Sequence, residues 1–245
     1  MKHEGSAVTA LQHPTLALRV YEAIRELIEG GTFPLGGKVV AEEVGRRLGV
    51  SRTPVWEAFK RLAAEGLVRI IPRQGCYIVS FTVAEVQQLY VVRELLEGFA
   101  ARLAAEAVDQ DTLGQLARCL ERQEQSLAAG DLDTYFRTDL HFHNLVVEGS
   151  RNQTLAEILA NLYRRLWLVR RHTLRLTARA QARPEDHRRM YQALAARDAD
   201  RAEDVTRAHV RHAFLDALEV LQGDPSLLDP PVPAAGPRHS TGRAG

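Results

Sequence analysis

Cysteine and long apolar runs are scarce in this 245-residue chain, and their scarcity excludes several protein classes. The chain has 2 cysteines, Cys76 and Cys119, which are too few for a disulfide framework or a thiolate metal cluster. No apolar stretch approaches the length of a membrane-spanning helix, and the first residues lack the apolar core of a signal peptide. The sequence therefore predicts a reduced, cytoplasmic protein with no membrane partner.

A strong excess of one charge is also missing. The formal net charge is +1, so the whole molecule is not an obvious polyanion binder. Residues 1–80 carry a small basic excess and residues 81–222 a small acidic one, which leaves room for a nucleic-acid-binding front half. The length favours two domains over one.

The front of the chain predicts a helix-turn-helix followed by a hairpin. Residues 1–13 are polar and small and are expected to form a flexible arm. Helical periodicity begins at Pro14 and ends at two glycines, and FPLGGKVV is read as a turn before a short helix over about 41–48. Ser51 is the expected N-cap of a third helix. LVRIIPRQGCYIVSF then predicts two short strands, which complete a winged helix-turn-helix domain over 14–80.

The rear of the chain predicts a bundle of helices. A capping box of Thr82 and Glu85 opens a long helix, and helical periodicity continues over 81–222 with polar breaks and no strand pattern. Residues 223–245, rich in proline and glycine, are expected to be a disordered tail. The predicted fold class is mainly α: an N-terminal winged helix-turn-helix with a small β-hairpin wing, and a C-terminal all-α helical bundle.

The third helix carries a candidate DNA-reading face. An apolar stripe that includes Val55 and Phe59 is expected to be buried, whereas Arg52, Trp56 and Lys60 recur every four residues on another side. Arginine and hydroxyl groups in a first turn suit DNA, because a helix N-terminus attracts phosphate and arginine can pair with guanine. The same side chains could instead be the solvated charges of a small helical module.

The run VSRTPVWEAFKRLAAEGLV followed by PRQG resembles the signature of the GntR family of bacterial transcription regulators, over about residues 14–80. The resemblance implies that the third helix enters the major groove and that the wing tip lies near the minor groove. The predicted DNA-binding residues comprise the matching positions and their neighbours on the helix and wing: Ser51, Arg52, Thr53, Trp56, Lys60, Arg73, Gln74 and Gly75.

Two positions depart from the family pattern. Arginine is common where this chain has Trp56 and frequent where it has Glu42. An arginine contact contributes about 1–3 kcal/mol of base discrimination, and a carboxylate near phosphate is repelled, so the operator is expected to be atypical or more weakly bound. Trp56 could press on a thymine methyl or a sugar, or pack against the wing or the other domain in the free protein.

A second constellation lies in the rear half. The run DLHFH places Asp139 and His143 one helical turn apart, with His141 pointing elsewhere. Two further helices supply His187 and His209. Three imidazoles and one carboxylate suit a divalent transition metal such as Zn, Ni or Mn, although 9 histidines in the chain also make chance spacing common.

Residues 82–215 resemble the FCD effector domain of the FadR-type branch of the GntR family, through LYVVRELLE, DLHFH, GSRNQTL and EDHRRMYQALAARDADRA. The resemblance implies a divalent metal ion held by Asp139, His143, His187 and His209. His212 is expected to be a bystander. Arg93, in the family's R-x-x-x-E pattern, is the candidate for binding a small carboxylate or hydroxycarboxylate effector, and a surface salt bridge to Glu97 is the rival explanation.

These features predict a ligand-responsive transcription regulator, more often a repressor in this family. It is expected to bind palindromic operator DNA as a homodimer, because one winged helix covers few base pairs. One rival is a metal-dependent hydrolase or lyase that uses the Asp/His cluster to activate water. No general base besides the ligands is apparent, so an enzyme is not expected. A third reading is a metal sensor, in which the ion itself is the signal.

Overall fold

The computed structural model describes the backbone of residues 15–177 and 183–223, and the side chains of 15–169 and 183–222. Within these residues the chain forms two compact units, which divide between Ser80 and Phe81. The predicted arm over 1–13, and the predicted tail after its first residue, lie outside the described residues. The predicted fold class, a winged helix-turn-helix followed by a helical bundle, is confirmed.

The front unit combines three helices with a small antiparallel sheet. Its elements are α1 (Leu16–Glu29), β1 (Lys38–Val39), α2 (Ala41–Leu48), α3 (Arg52–Ala64), β2 (Val68–Ile71) and β3 (Gly75–Ile78). The sheet order is β1-β3-β2, with Cys76 of β3 opposite both Val39 and Ile70. Strand β1 is not predicted from the sequence, because two residues are too short to show an alternating pattern.

The core of the front unit explains the positions of its helices. Helix α1 packs its buried face, which includes Ile24 and Ile28, against α3. In α3, Val55, Phe59 and Leu62 have no exposed surface. Helix α2 meets the start of α3 closely, because a Cβ added at Gly45 would lie 2.8 Å from the carbonyl oxygen of Val50.

A polar link also joins α1 to the end of α3. The Tyr21 hydroxyl donates to the Glu65 carboxylate, at 2.8 Å from each oxygen, and the Arg61 guanidinium lies 4.1 Å from the centre of the Tyr21 ring. Burial, and then Glu65, raise the pKa of Tyr21. These contacts join the C-terminal end of α3 to α1.

The rear unit consists, over its described residues, of six helices. They are α4 (Val83–Ala107), α5 (Gln110–Ala129), α6 (Leu132–Gly149), α7 (Gln153–Thr177), α8 (Pro184–Ala195) and α9 (Ala199–Gly223). The predicted capping box of Thr82 and Glu85 opens α4, which packs against α6, α7, α8 and α9. None of the helices in the described ranges has an apolar stretch that would cross a membrane.

Candidate functional site

The outer face of α3 presents the predicted DNA-binding side chains together. Ser51, Arg52 and Thr53 are exposed at its start, and Lys60 is exposed two turns later. The predicted apolar stripe faces the core, with Pro54 added to it and Ala63 only half-buried. Glu42 is exposed on α2.

The start of α3 differs from the prediction in one respect. Ser51 occupies the N-cap position, but its side chain makes no capping hydrogen bond. An N-cap hydroxyl normally accepts from the second or third N–H of the helix, and the third residue here is Pro54, which has no N–H. The Ser51 hydroxyl therefore lacks one of its usual donors, and Ser51, Arg52 and Thr53 are exposed at the helix start, where an anion can be bound.

Trp56 interrupts this polar face with an aromatic ring. It is half-buried, and its ring meets that of Phe59 edge-on, with centroids 5.5 Å apart and planes at 80°. Its ring contact is thus with a residue of the same helix, and the alternatives of a thymine methyl, a sugar, the wing or the other domain stay predictions. The remaining surface of the ring lies between Arg52 and Lys60, among the residues predicted to face DNA.

The wing tip is the turn between β2 and β3. Arg73 and Gln74 are exposed there, Arg73 has φ of 64°, and Gly75 has φ of 126°, a backbone conformation that favours glycine. Lys38 on β1 pairs opposite Tyr77 of β3 and adds an exposed cation beside the wing. Lys38 is not among the residues predicted to bind DNA, because its position beside the wing depends on strand β1, which the sequence does not predict.

In the rear unit, three of the four predicted metal ligands come together as a buried group. One ring nitrogen each from His143, His187 and His209 lies within 4.8 Å of the others. Among the described residues, these three form the group whose ligand atoms could hold a metal ion. His143 Nε2 and His209 Nε2 are 3.2 Å apart. Asp139 contacts the group at His187, with its Oδ1 3.5 Å from His187 Nε2.

Each histidine also has an oxygen near its other ring nitrogen, within hydrogen-bonding distance for His143 and His187 and beyond it for His209. The partners come from three further positions: Glu97 Oε2 lies 2.9 Å from His143 Nδ1, Gln123 Oε1 lies 2.8 Å from His187 Nδ1, and Asp186 Oδ2 lies 3.6 Å from His209 Nδ1. An oxygen acceptor at Nδ1 favours a proton on that nitrogen, which leaves the Nε2 lone pair directed to the centre.

This arrangement fits a divalent cation. The Nε2 atoms of His143 and His209 are 3.2 Å apart, close enough to share one proton or to bind one cation between them. Burial lowers the pKa of His209, although Asp186 opposes that effect, so protonation of its ring is disfavoured. Neutral imidazoles directed to one point, with oriented outer partners, are the arrangement that binds transition metals in proteins.

Arg93, the predicted effector residue, lies beside this group. Its side chain forms an ion pair with Glu97, and its Nη2 is 3.4 Å from His143 Nε2. The proposed surface salt bridge is therefore wrong as to its location: the pair exists, but both side chains are 3% exposed. Burial acts to raise the pKa of Glu97, and the Arg93 charge, together with the hydrogen bond from His143, outweighs it and holds that pKa well below its usual value.

A small cavity adjoins Arg93. It is lined by Arg93, Leu140, His143, Tyr163, Leu166 and Trp167. It has room for about one water molecule. The Tyr163 hydroxyl is buried, and burial and then the Glu97 carboxylate raise its pKa. A carboxylate effector at this place would gain the Tyr163 and Arg93 donors but would need a wider cavity.

Sequence reasoning missed the outer partners of the histidines. The sequence predicts Glu97 only as a surface partner of Arg93, and it predicts no role for Gln123 or Asp186. Asp186 precedes His187 directly in the chain, which is a signal that could have been used. Gln123 carries no such signal, since its role depends on how α5 packs against α8.

Comparisons with known proteins agree with both units. Residues 16–78 match the model for bacterial regulatory proteins of the gntR family, and residues 88–212 match the FCD domain. The "Uncharacterized HTH-type transcriptional regulator YdhC" of Bacillus subtilis is 29% identical over 206 residues, which cover 84% of this chain and 92% of that protein.

Two further matches bear on function and on fold. The "Probable D-xylose utilization operon transcriptional repressor" of Paenarthrobacter nicotinovorans is 30% identical over 214 residues, covering 84% of this chain and 90% of that protein. The solved structure described as "E. coli McbR/YncC" superposes with a TM-score of 0.75 at 20% identity, covering 86% of this chain and all of that one. At that identity the second match concerns the fold alone.

Proposed function

This chain belongs to the gntR family of bacterial regulatory proteins and carries an FCD domain, and from that membership we propose that it represses transcription in response to a small carboxylate bound beside a metal ion. It is a transcription regulator and not an enzyme, as its family and its relatives' names indicate. The metal, the effector, the homodimer and the palindromic operator are the proposal.

The proposed DNA-binding surface consists of the start of α3 and the wing. Arg52 and Lys60 supply positive charge, the exposed Ser51 hydroxyl and the helix N-terminus supply phosphate donors, and Arg73 at the wing tip reaches a neighbouring groove. Phosphate contacts set the affinity, and Arg52 is the best candidate for reading a guanine edge. Trp56 offers an apolar surface that suits a thymine methyl group.

The single observation that carries the metal proposal is the orientation of the three imidazoles. His143 and His187 have an oxygen within hydrogen-bonding distance of Nδ1, His209 faces Asp186 at 3.6 Å, and the three rings converge on one point, which supports binding of Zn, Ni or Mn with Asp139 as the carboxylate ligand. When bound, the ion would supply a Lewis-acidic point at which carboxylate oxygen can coordinate. Arg93 and Tyr163 would bind and orient the effector from the side of the small cavity.

A homodimer is supported by the outer face of α4. Val92, Leu95 and Phe99 recur at helical spacing and are 45%, 50% and 44% exposed, and Val91 beside them is 53% exposed. Contiguous apolar surface of this kind marks an association site. A second copy of the chain is the proposed occupant, because two winged helices are needed to bind both halves of a symmetric operator.

Metal uptake and DNA binding can be tested separately. Native mass spectrometry after incubation with Zn²⁺ should show one ion per wild-type chain, none in His187→Gln, and one in His141→Ala, whose exposed histidine is the matched control. A gel shift with DNA from the chain's own promoter should show salt-sensitive binding that Arg52→Ala weakens. Wild-type protein without Zn²⁺ would contradict the metal site, and unchanged binding by Arg52→Ala would contradict the DNA-reading face.

A further inference from the structure

The proposed metal ligands are enclosed, so an ion must pass other side chains to reach them. His187 has no exposed surface, and His143 and His209 are 2% and 5% exposed. The groups around them differ in charge from one side to the other. Those differences decide by which side a cation can approach.

The side that carries Arg93 is unfavourable for a cation. Arg93 is 2% exposed and its Nη2 lies 3.4 Å from His143 Nε2, so an ion on this path would pass a buried positive charge with little water to screen it. Glu97 and Gln123, the outer partners on α4 and α5, are as deeply buried as the histidines. This side is thus filled by a buried Arg93–Glu97 ion pair and offers an incoming cation no ligand near the solvent.

On the side that carries Asp186, the side chains become more buried step by step from the solvent to the core. Asp186 Oδ2 lies 3.2 Å from His212 Nδ1 and 3.6 Å from His209 Nδ1. The exposed fraction of the side chain falls from 44% at His212 to 12% at Asp186 and 6% at His209. Arg189 approaches the other oxygen of Asp186, with 3.6 Å between Nη1 and Oδ1. One carboxylate oxygen is thus shared by an imidazole open to solvent and a buried imidazole.

We propose that His212 and Asp186 form an outer station through which a divalent metal ion passes to and from the buried histidines. The inference rests on the proposed metal site and adds the route by which that site is filled. Imidazole nitrogen and carboxylate oxygen are ligands for the same ions as the inner group, so the ion replaces its water molecules in steps and does not lose them all at once.

The route has a kinetic signature. His212 stands outside the buried group, so its removal raises the barrier for uptake and release equally and leaves the affinity unchanged. In this proposal His212 remains a bystander for the equilibrium affinity for the metal ion, but it affects the rates of uptake and release. Asp186 also faces His209, so its replacement changes both the rates and the affinity.

The experiment measures both rates of Zn²⁺ exchange on the full chain. Stopped-flow uptake and release of Zn²⁺ with a chromophoric chelator, together with equilibrium competition, would be compared for wild type, His212→Ala, His212→Glu and the control His141→Ala. His212→Ala should slow uptake and release by the same factor, at unchanged affinity. His212→Glu restores a ligand atom and should recover wild-type rates, and His141→Ala should match wild type.

The outcomes separate this inference from the function on which it rests. Wild-type rates in His212→Ala, with Zn²⁺ still bound, would overturn the outer station alone. A loss of affinity in His212→Ala at an unchanged uptake rate would also overturn it, because His212 would then be a ligand of the bound ion. A wild-type chain that binds no Zn²⁺ would overturn the proposed metal site and the outer station with it.

Discussion

Replacing Glu97 by glutamine should destabilise the rear unit strongly, because it leaves a buried cation without its counter-charge. Glu97 and Arg93 are each 3% exposed, and the Glu97 carboxylate also lies 2.9 Å from His143 Nδ1. Removing one member of a buried ion pair typically costs about 3–5 kcal/mol. Glutamine keeps the shape and an acceptor oxygen, so this loss would report on charge and not on a cavity.

The measurement is urea unfolding of the metal-free protein, followed by circular dichroism in the presence of EDTA. Glu94→Gln is the matched control, since Glu94 is on the same helix and pairs with Arg211 at 3.3 Å on the surface; it should cost about 1 kcal/mol or less. The double variant Arg93→Met with Glu97→Gln removes both charges and should recover much of the stability. A Glu97→Gln protein within about 1 kcal/mol of wild type would refute the enclosed, charge-paired site.

Other predictions concern the front unit and the α4 face. Gly45→Ala should lower the unfolding free energy by about 1–3 kcal/mol in thermal melts, and an unchanged melt would contradict the close helix contact. Tyr21→Phe should cost about 1.5–3 kcal/mol; because the pKa of Tyr21 is raised, this contribution is complete below about pH 10 and is lost as the pH rises further. Leu95→Glu should convert a dimer to a monomer by light scattering, whereas a dimeric Leu95→Glu protein would exclude this face. Trp56→Arg should remove any effect of replacing operator thymine by deoxyuracil, which lacks the methyl group; equal sensitivity in both proteins would argue against the methyl contact.

The elements that the sequence predicted well are those with a strong periodic or capping pattern. The capping box at Thr82 and the helices that alternate with glycine and polar breaks follow from local rules, which operate whatever the tertiary structure. Strand β1 does not, because its two residues are strands only through pairing with β3, far along the chain. Ser51 occupies the predicted N-cap position, but the capping bond that the rule favours is missing, and Pro54 has no N–H to supply it at the third helical position.

For the candidate site, residue types were predictable and their surroundings were not. His143, His187 and His209 could be named through the resemblance to the FCD domain, because spacing alone does not single them out among 9 histidines. The burial of Arg93 could not, because an i, i+4 pair of opposite charges has the same pattern on a surface and inside a bundle. Partners such as Gln123 depend on the packing of distant helices, which periodicity does not record.

Pro54 has a consequence for how this regulator could be re-engineered. Pro54 stands at the third helical position and has no N–H, so no backbone donor there competes for the Ser51 hydroxyl. Substituting Pro54 by alanine would restore that donor and let serine turn inward. If Ser51 binds phosphate as proposed, such a variant would gain helix stability and lose affinity for DNA, so a screen for thermostability alone would favour replacing this proline.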